Sequence, residues 1–535
     1  MGGTIVANIN TTPPPIDDDR ISELPDVIAH HILSFLVDSP KELIRTSVLS
    51  KKWLALTASF PILDFTFKSF NRAIGPSGGP NAPKYVKDKF FNYVGYTTSR
   101  FSQQQNVVSA NTFKLFAVLR DPAHASIIDR CLGLILKQGL QVFVVFNLGM
   151  PIFFDDHQPP PMYRLPGELL SVSSLTSLSI HNCELPSSLI VDDDVVKFKL
   201  LKLLDLEGVY LNEEMIRCLT AGCPLLEKFN VICCYGFKRL RVYGLQSLQN
   251  VRVYYMSPVE EIDIQAPNLV HIELLDMSAR EKPPRVNLFS CQKLTMIFSR
   301  CFSKLFAVSL SNFPFLETLI LKLPSNYRNF ELSSHSLRKL SLETESDLDE
   351  IQIDTPNLLF FLYYASESYV HGPMGDSGES KTCMDCFRDF DVETSWLQKF
   401  RRFLGRTVPF KVLRLHFFAN FVDVEELKLL GLPSFELEHI ELDLNVNGVS
   451  ELSEYLSVVD AVLWCCRPRS LTLKSDFCDY LERQDHIVKF TYERLLEQED
   501  QGQTNIQIVF STDKAFGSNC SLITFLKEEV NQEAG

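Results

Sequence analysis

Cys383-Met-Asp-Cys386 holds two thiols at a spacing that could do chemistry, because thiolates so placed can fill two corners of a tetrahedral zinc site. No second pair follows at about fifteen to twenty residues, and His371 and His416 are the nearest imidazoles. The spacing therefore predicts two reduced thiols in an exposed loop, with Cys386 the least poor nucleophile should the chain act as a stand-alone ligase or hydrolase. Gly375-Asp-Ser377-Gly378 falls one spacer short of a nucleophile elbow and lacks the strand-turn-helix setting that exposes such a serine. His30 and His31 are adjacent on a helical stretch, so they face different ways and cannot share a metal. Lys399, Arg401, Arg402 and Arg406 could meet an anionic ligand, but they read better as the solvated face of a helix whose Trp396, Phe400 and Phe403 point inward. Phosphate-binding, dinucleotide-binding and H-E-x-x-H patterns are absent. The expectation is no catalytic residue, no metal and no cofactor.

The elements that would position such residues belong to a long chain. Its 535 residues, 45% of them hydrophobic and 22% charged, suit several globular domains and exclude wholesale disorder. With 52 basic against 66 acidic residues the net charge is −14, which argues against nucleic acid or an anionic membrane as partner. Fourteen cysteines show no framework spacing and read as reduced. The opening MGGTIVANINTTPPPIDDD lacks the apolar core of a secretory leader, and Val6 breaks the myristoylation pattern. No run of eighteen apolar residues occurs. These features predict an intracellular, soluble protein of the cytoplasm, the nucleus or both.

Residues 1–19, rich in Pro and Asp, read as a flexible tail. A helical block follows over 20–65. Pro25 and Asp26 suit the start of a helix on which Ile28, Ile32, Phe35 and Leu36 recur at helical spacing. Ser39-Pro40-Lys41-Glu42 forms a capping box ahead of Leu43 and Ile44, and Ser50 can cap a third helix carrying Trp53 and Leu54. Three short helices cannot enclose a core of their own size, so the block calls for a partner. Residues 66–110, with the Gly/Pro-rich stretch 71–83, read as a linker.

From 111 to 365 the pattern apolar-x-x-apolar-x-apolar repeats, as in Leu175-Leu178-Ile180, Leu201-Leu204-Leu206 and Leu337-Leu340-Leu342. Its central positions 229, 240, 251, 262 and 272, and again 319, 330, 340, 351 and 361, step by ten or eleven. Two steps make one leucine-rich coil, within the usual range of about 20 to 29 residues. Ten residues leave no room for a long helix, so each coil should carry one strand on a concave face and a second strand behind. Where the step widens, as between 178, 204 and 229, a short helix fits, and Leu211 to Leu219 is a candidate. Glu260-Glu-Ile-Asp-Ile-Gln-Ala-Pro-Asn-Leu269 and Asp349-Glu-Ile-Gln-Ile-Asp-Thr-Pro-Asn-Leu358 match at an offset of 89, which marks true repetition. Residues 366–395 read as an exposed insertion, and 396–535 as further repeats and a cap. The fold class is α/β: a three-helix block, then a leucine-rich-repeat solenoid with short strands or helices on the convex face. Ser179, Asp205, Asn230, Ser341 and Leu362, between the last two apolar residues of their motifs, should lie on the concave face and meet a protein ligand.

Asp19-Arg-Ile-Ser-Glu-Leu-Pro25-Asp-Val-Ile-Ala-His-His-Ile-Leu-Ser-Phe-Leu36 with Arg45-Thr-Ser-Val-Leu-Ser-Lys-Lys-Trp53 resembles an F-box, departing from it at Thr57, where many relatives carry a second tryptophan. Cys223-Pro-Leu-Leu-Glu-Lys, the two Pro-Asn-Leu turns and Ala461-Val-Leu-Trp464-Cys-Cys-Arg467-Pro468 are similar to plant F-box proteins with leucine-rich repeats, so the resemblance covers most of 19–490. It implies a non-catalytic substrate receptor of a ubiquitin ligase, whose F-box docks a Skp-type adaptor and, through it, a cullin and a RING protein, while the repeats hold a protein substrate. It assigns the adaptor contacts to Leu24, Pro25, Ile28, Ile32, Leu33, Val48, Leu49, Ser50 and Trp53. Two alternatives remain: a small-molecule sensor of the F-box receptor type, with a pocket in the concave face closed by 366–395, or a repeat scaffold with no ligase role.

Overall fold

Apolar side chains spaced ten or eleven residues apart can share one core only if alternate strands fall into two different sheets, and the computed structural model has that arrangement. The structure describes residues 21, 23–36, 42, 45–58, 60–74, 83–103, 111–148, 162–190, 196–256, 258–277, 283–300, 310–324, 327–365, 382–391, 393–405, 410–418, 421–429, 435–445, 452–475, 481–497, 505–511 and 520–526. The expected tail, Ser39, Pro40 and Lys41 of the capping box with Leu43 and Ile44, the stretch 75–82, His371, the 375–378 motif and Arg406 lie outside the described residues. The chain divides into two units, Met1–Tyr210 and Leu211–Gly535.

In the first unit the helices Asp26–Ser34 and Lys51–Ala58 bury Ala29, Leu33, Trp53, Leu56 and Phe60 in one small core, with Leu24 and Ile62 against it. Five strands follow, Ile62–Thr66, Thr112–Ala117, Val142–Asn147, Ser177–His181 and Leu203–Glu207, each parallel to the next and in register. The span 66–110 is not the linker that its composition suggests. Its helix Phe67–Ile74 and the twenty-residue helix Lys84–Gln103 lie between the first two strands, and the latter buries Val86, Phe90, Phe91, Val94 and Phe101. Those residues recur at helical spacing and need a core to fill. The helix Pro122–Ile135 lies against them, begun by Asp121 accepting from the Ala123 N–H at 2.9 Å, with His124 stacked on Phe91 at 4.1 Å.

The second unit opens with the expected short helix, Glu213–Ala221, capped by the Asn212 side chain, which accepts from the Met215 N–H at 2.8 Å. Its long sheet runs in parallel through Lys228–Ile232, Asn250–Tyr255, His271–Asp276, Met296–Ser299, Thr318–Lys322, Lys339–Thr344 and Phe360–Ala365. It continues through Cys383–Asp391, Val412–Phe418, His439–Asn445, Ser470–Ser475 and Asn505–Ser511, and the antiparallel strand Cys520–Leu526 breaks the parallel series. The alternate steps of the repeat form separate short sheets: Arg239–Tyr243 with Glu261–Gln265 and Arg285–Asn287, Asn329–Ser333 with Glu350–Asp354, and Phe435–Leu437 with Cys466–Pro468. Buried apolar side chains from both strand sets fill the interior, among them Phe229, Leu240, Val251, Ile262 and Ile272. The Pro-Asn turns acquire a reason, since Asn268 Nδ2 donates to the Gln246 carbonyl and Asn357 Nδ2 to that of His335, both at 2.7 Å. Each asparagine thus ties its turn to the coil one repeat earlier.

Two expectations are corrected in this unit. The span 366–395 is not wholly an insertion, because Cys383–Asp391 is an interior strand paired on both sides. The face of the helix Thr394–Leu404 is not wholly solvated either: Trp396, Phe400 and Phe403 turn inward as expected, but Arg401 is buried with them.

Candidate docking surfaces

Sealing the core of the N-terminal helical block uses up some of the residues expected to meet an adaptor. Leu33 is fully buried and Trp53 nearly so, a departure from the expectation that both face a partner; their side chains hold the helices together. Pro25, at the N-terminus of the first helix, is exposed, and Leu24 and Ser50 are half-buried. Ser50 Oγ accepts from the Trp53 N–H at 3.3 Å, the capping role read from sequence. Lys52 Nζ donates to the Leu24 carbonyl at 2.6 Å, tying the helix Lys51–Ala58 to the Leu-Pro turn. Outward lie Ile28, 46% exposed, Ile32 at 36%, Val48 at 79% and Leu49 at 59%, joined by Val27 and Phe35, which sequence reasoning did not select. Ile28, Ile32 and Phe35 follow one another at i, i+4 and i+7 and so share a helix face.

The five repeat positions all fall on strands, Ser179 and Asp205 in the first-unit sheet and Asn230, Ser341 and Leu362 in the long sheet of the second, and the register aligns Ser179 with Asp205 and Ser341 with Leu362. Ser179 and Ser341 are buried, which departs from their expected role as open contacts; a short side chain between larger neighbours is covered by them. Asp205, Asn230 and Leu362 are half-buried.

The chemistry of this face lies mostly two residues further along each strand, on the same side by the period of two. In the first unit His181 sits between two carboxylates, with Nδ1 2.8 Å from Glu207 and Nε2 3.3 Å from Asp205, and its ring stacks on Phe146 at 4.5 Å. Burial opposes a charge on this ring, but the hydrogen bonds to Asp205 and Glu207 outweigh it and push its pKa up to about 9. In the second unit Arg252 meets Glu273 at 3.2 Å, and Arg300 meets Glu343 at 3.0 Å. Burial and then the bond to Glu273 push the Tyr254 hydroxyl up to about 12. Further on, Arg414 lies 3.3 Å from Asp385 and 3.4 Å from Glu441, which also pairs with Lys474. Tyr364 stacks on Phe387 at 5.0 Å beside His416. In each unit the strands thus carry matched charges beside aromatic rings.

A groove of about 940 Å³ runs along the edge where long-sheet strands begin, lined by Lys293, Phe315, His335, Arg338 and Leu359, with Phe315 60% exposed. The thiols singled out by spacing do not form a site. Cys383 and Cys386 are both buried on one strand, and three residues apart they point to opposite faces, so they cannot share a zinc ion. Burial pushes the Cys386 thiol far up, which makes it a poor nucleophile. Among the described residues no group of three or more His, Cys, Asp and Glu is placed to hold a metal, and no helix is long and apolar enough to cross a membrane.

Comparison with known families agrees with this layout. The F-box domain model matches residues 21–65, and the model for the leucine-rich repeats of the FBD-associated F-box protein At5g56370 matches 128–305. The chain thus carries an F-box domain and a repeat region similar to those of plant F-box proteins with leucine-rich repeats. Among its relatives from Arabidopsis thaliana, the putative F-box protein At3g58860 is 27% identical over 50% of this chain and 53% of its own length. F-box/LRR-repeat protein 25 is 25% identical over 49% of this chain and 87% of its own. The putative F-box/FBD/LRR-repeat protein At5g44950 is 28% identical over 52% of this chain and 57% of its own. The matched region thus spans little more than half the length of At3g58860 and At5g44950.

Proposed function

We propose that the chain is the substrate-recognition subunit of a Skp-cullin-F-box ubiquitin ligase, working in the cytoplasm, the nucleus or both. The observation that carries this reading is the division of the F-box into a closed core and an exposed apolar set. Ala29, Leu33, Trp53, Leu56 and Phe60 are buried, while Val27, Ile28, Phe35, Val48 and Leu49 face solvent. Large apolar side chains left outside a complete core mark a surface meant to be covered. On this reading Leu24, Pro25, Ile28, Ile32, Val48 and Leu49 meet the adaptor, Ser50 fixes the start of the helix Lys51–Ala58, and Leu33 and Trp53 hold the frame.

The repeats then present the charged and aromatic rows of the long sheet to a protein substrate. The chain performs no bond chemistry itself; it raises the effective concentration of substrate lysines near the ubiquitin-charged enzyme held by the cullin and RING partner. The test is co-elution of the full chain with a purified Skp-type adaptor on size exclusion, beside a Leu24→Ala/Pro25→Ala variant. Co-elution of the wild type and its loss in the variant support the reading. Separate elution of both leaves a repeat scaffold.

A further inference from the structure

Three neighbouring coils of the second unit bring sulfur to the same edge of the long sheet. The strands Lys228–Ile232, Asn250–Tyr255 and His271–Asp276 pair in register and are followed directly by Cys233, Met256 and Met277. Backbone hydrogen bonds tie these turns together: the Cys233 N–H donates to the Tyr254 carbonyl at 2.6 Å, and the Met277 N–H to that of Tyr255 at 2.9 Å. Cys233 and Met277 belong to the outer two coils, yet Cys233 Sγ lies 4.0 Å from Met277 Sδ, so the two sulfurs converge across the middle coil. Met256, half-buried, is the residue of that middle coil at this edge. Of the eleven cysteines whose side chains are described, Cys233 alone is not buried, and Met277 is 38% exposed. Cys233 also has φ +51°, two residues past the last apolar position of its motif, where earlier motifs carry Asn182 at φ +53° and Gly208 at φ +60°. Asn and Gly take this left-handed backbone readily, whereas a cysteine there is strained.

Thiolate and thioether sulfurs are soft donors of the kind that selects monovalent copper. Zinc draws its ligands from Cys, His and carboxylates, and methionine is not among them. With metal–sulfur bonds of about 2.3 Å, two sulfurs 4.0 Å apart subtend roughly 120° at an ion held between them, the angle of three-coordinate geometry. The coil between them carries the third soft donor, Met256. We propose that Cys233, Met256 and Met277 bind one monovalent copper ion through a thiolate and two thioethers. The Cys233 thiol releases its proton to water as the ion enters. The site does not depend on adaptor docking.

The test titrates the full-length chain with copper(I) under nitrogen, in competition with bathocuproine disulfonate, a chelator whose colour reports the copper that the chain gives up. The wild type should retain one equivalent that Cys233→Ser does not. Met256→Leu and Met277→Leu keep the thiol and the apolar bulk, and each should weaken that equivalent at least about tenfold, the scale on which even a ligand's supporting partner acts. A thiol binding alone would lose nothing in either variant. X-ray absorption at the copper edge should show three sulfur neighbours at about 2.3 Å in the wild type. All three side chains sit at turns that reach solvent, so the variants will fold, and circular dichroism checks each. Equal copper retention by wild type and Cys233→Ser overturns the proposal. So does unchanged affinity in Met256→Leu or Met277→Leu, or displacement of the copper by equimolar zinc(II).

Discussion

His181 offers a direct check on the register of the first-unit sheet, because its charge depends on Asp205 and Glu207 arriving from the next coil. In a disordered chain the imidazole titrates near 6.5, and in the folded chain near 9. The folded value is the higher one, so the charged ring stabilises the fold fully below about pH 6.5, and this stabilisation is lost as pH rises towards 9. The difference corresponds to at most about 3 kcal/mol, and partial exposure of the two carboxylates to water brings the expected figure to roughly 2 kcal/mol. Amide hydrogen exchange over 177–181 and 203–207, corrected for the intrinsic pH dependence of exchange, reads this locally. The opening free energy of the wild type should fall by about 2 kcal/mol between pH 6 and 9.5, and that of His181→Gln should stay flat. A flat wild type, or a variant with the same slope, would refute the pairing of His181 with both carboxylates.

Other consequences follow from single residues. Gly208 has φ +60°, and a Cβ there would collide with the Asn182 side chain, whose Nδ2 donates to the Asn147 carbonyl at 3.2 Å. Gly208→Ala should therefore cost about 2 to 3 kcal/mol in urea unfolding, from left-handed strain plus a lost hydrogen bond; a loss below about 0.5 kcal/mol would contradict that geometry. Leu33→Ala should destabilise the F-box by about 3 kcal/mol and Ile28→Ala by under about 1 kcal/mol, and equal effects in thermal melts would erase the distinction between core and surface. Cys383 and Cys386 should resist iodoacetamide in the native chain and react after unfolding; rapid native labelling of either would mean that the strand Cys383–Asp391 is misplaced.

The repeat was legible because burial at a fixed spacing survives in a single sequence. The ten- and eleven-residue steps correctly imply two strand sets, and Leu211 to Leu219 correctly implies a short helix. What was hidden is physical in each case. Gly/Pro content at 71–83 masked the periodicity of Val86, Phe90, Val94 and Phe101, which needed a core supplied by another helix. Small and charged residues around Cys383 concealed an interior strand because its partners lie outside the local window. Resemblance names the residues of an F-box but not their direction, and Leu33 and Trp53 turned inward because the short helices Asp26–Ser34 and Lys51–Ala58 meet through a small core that needs their bulk. The His181 and Tyr254 sites were missed because the reading stopped at the last apolar residue of each motif, whereas Arg414 occupies the same register position as Leu362 and was passed over because only five examples of that position were singled out. Continuing the strand alternation by one position would have reached His181 and Tyr254, but their partners depend on register between coils.

The central claim, that the exposed F-box residues form a docking surface distinct from the F-box core, is tested most directly by calorimetric titration of the full chain with a purified Skp-type adaptor. Ile28→Asp places a charge on the proposed contact and leaves the core untouched. The account predicts binding by the wild type, a loss of at least about tenfold for Ile28→Asp with an unchanged melting temperature, and adaptor affinity near wild type for any Leu33→Ala chain that remains folded. Wild-type affinity in Ile28→Asp, or no binding by the wild type, would contradict it.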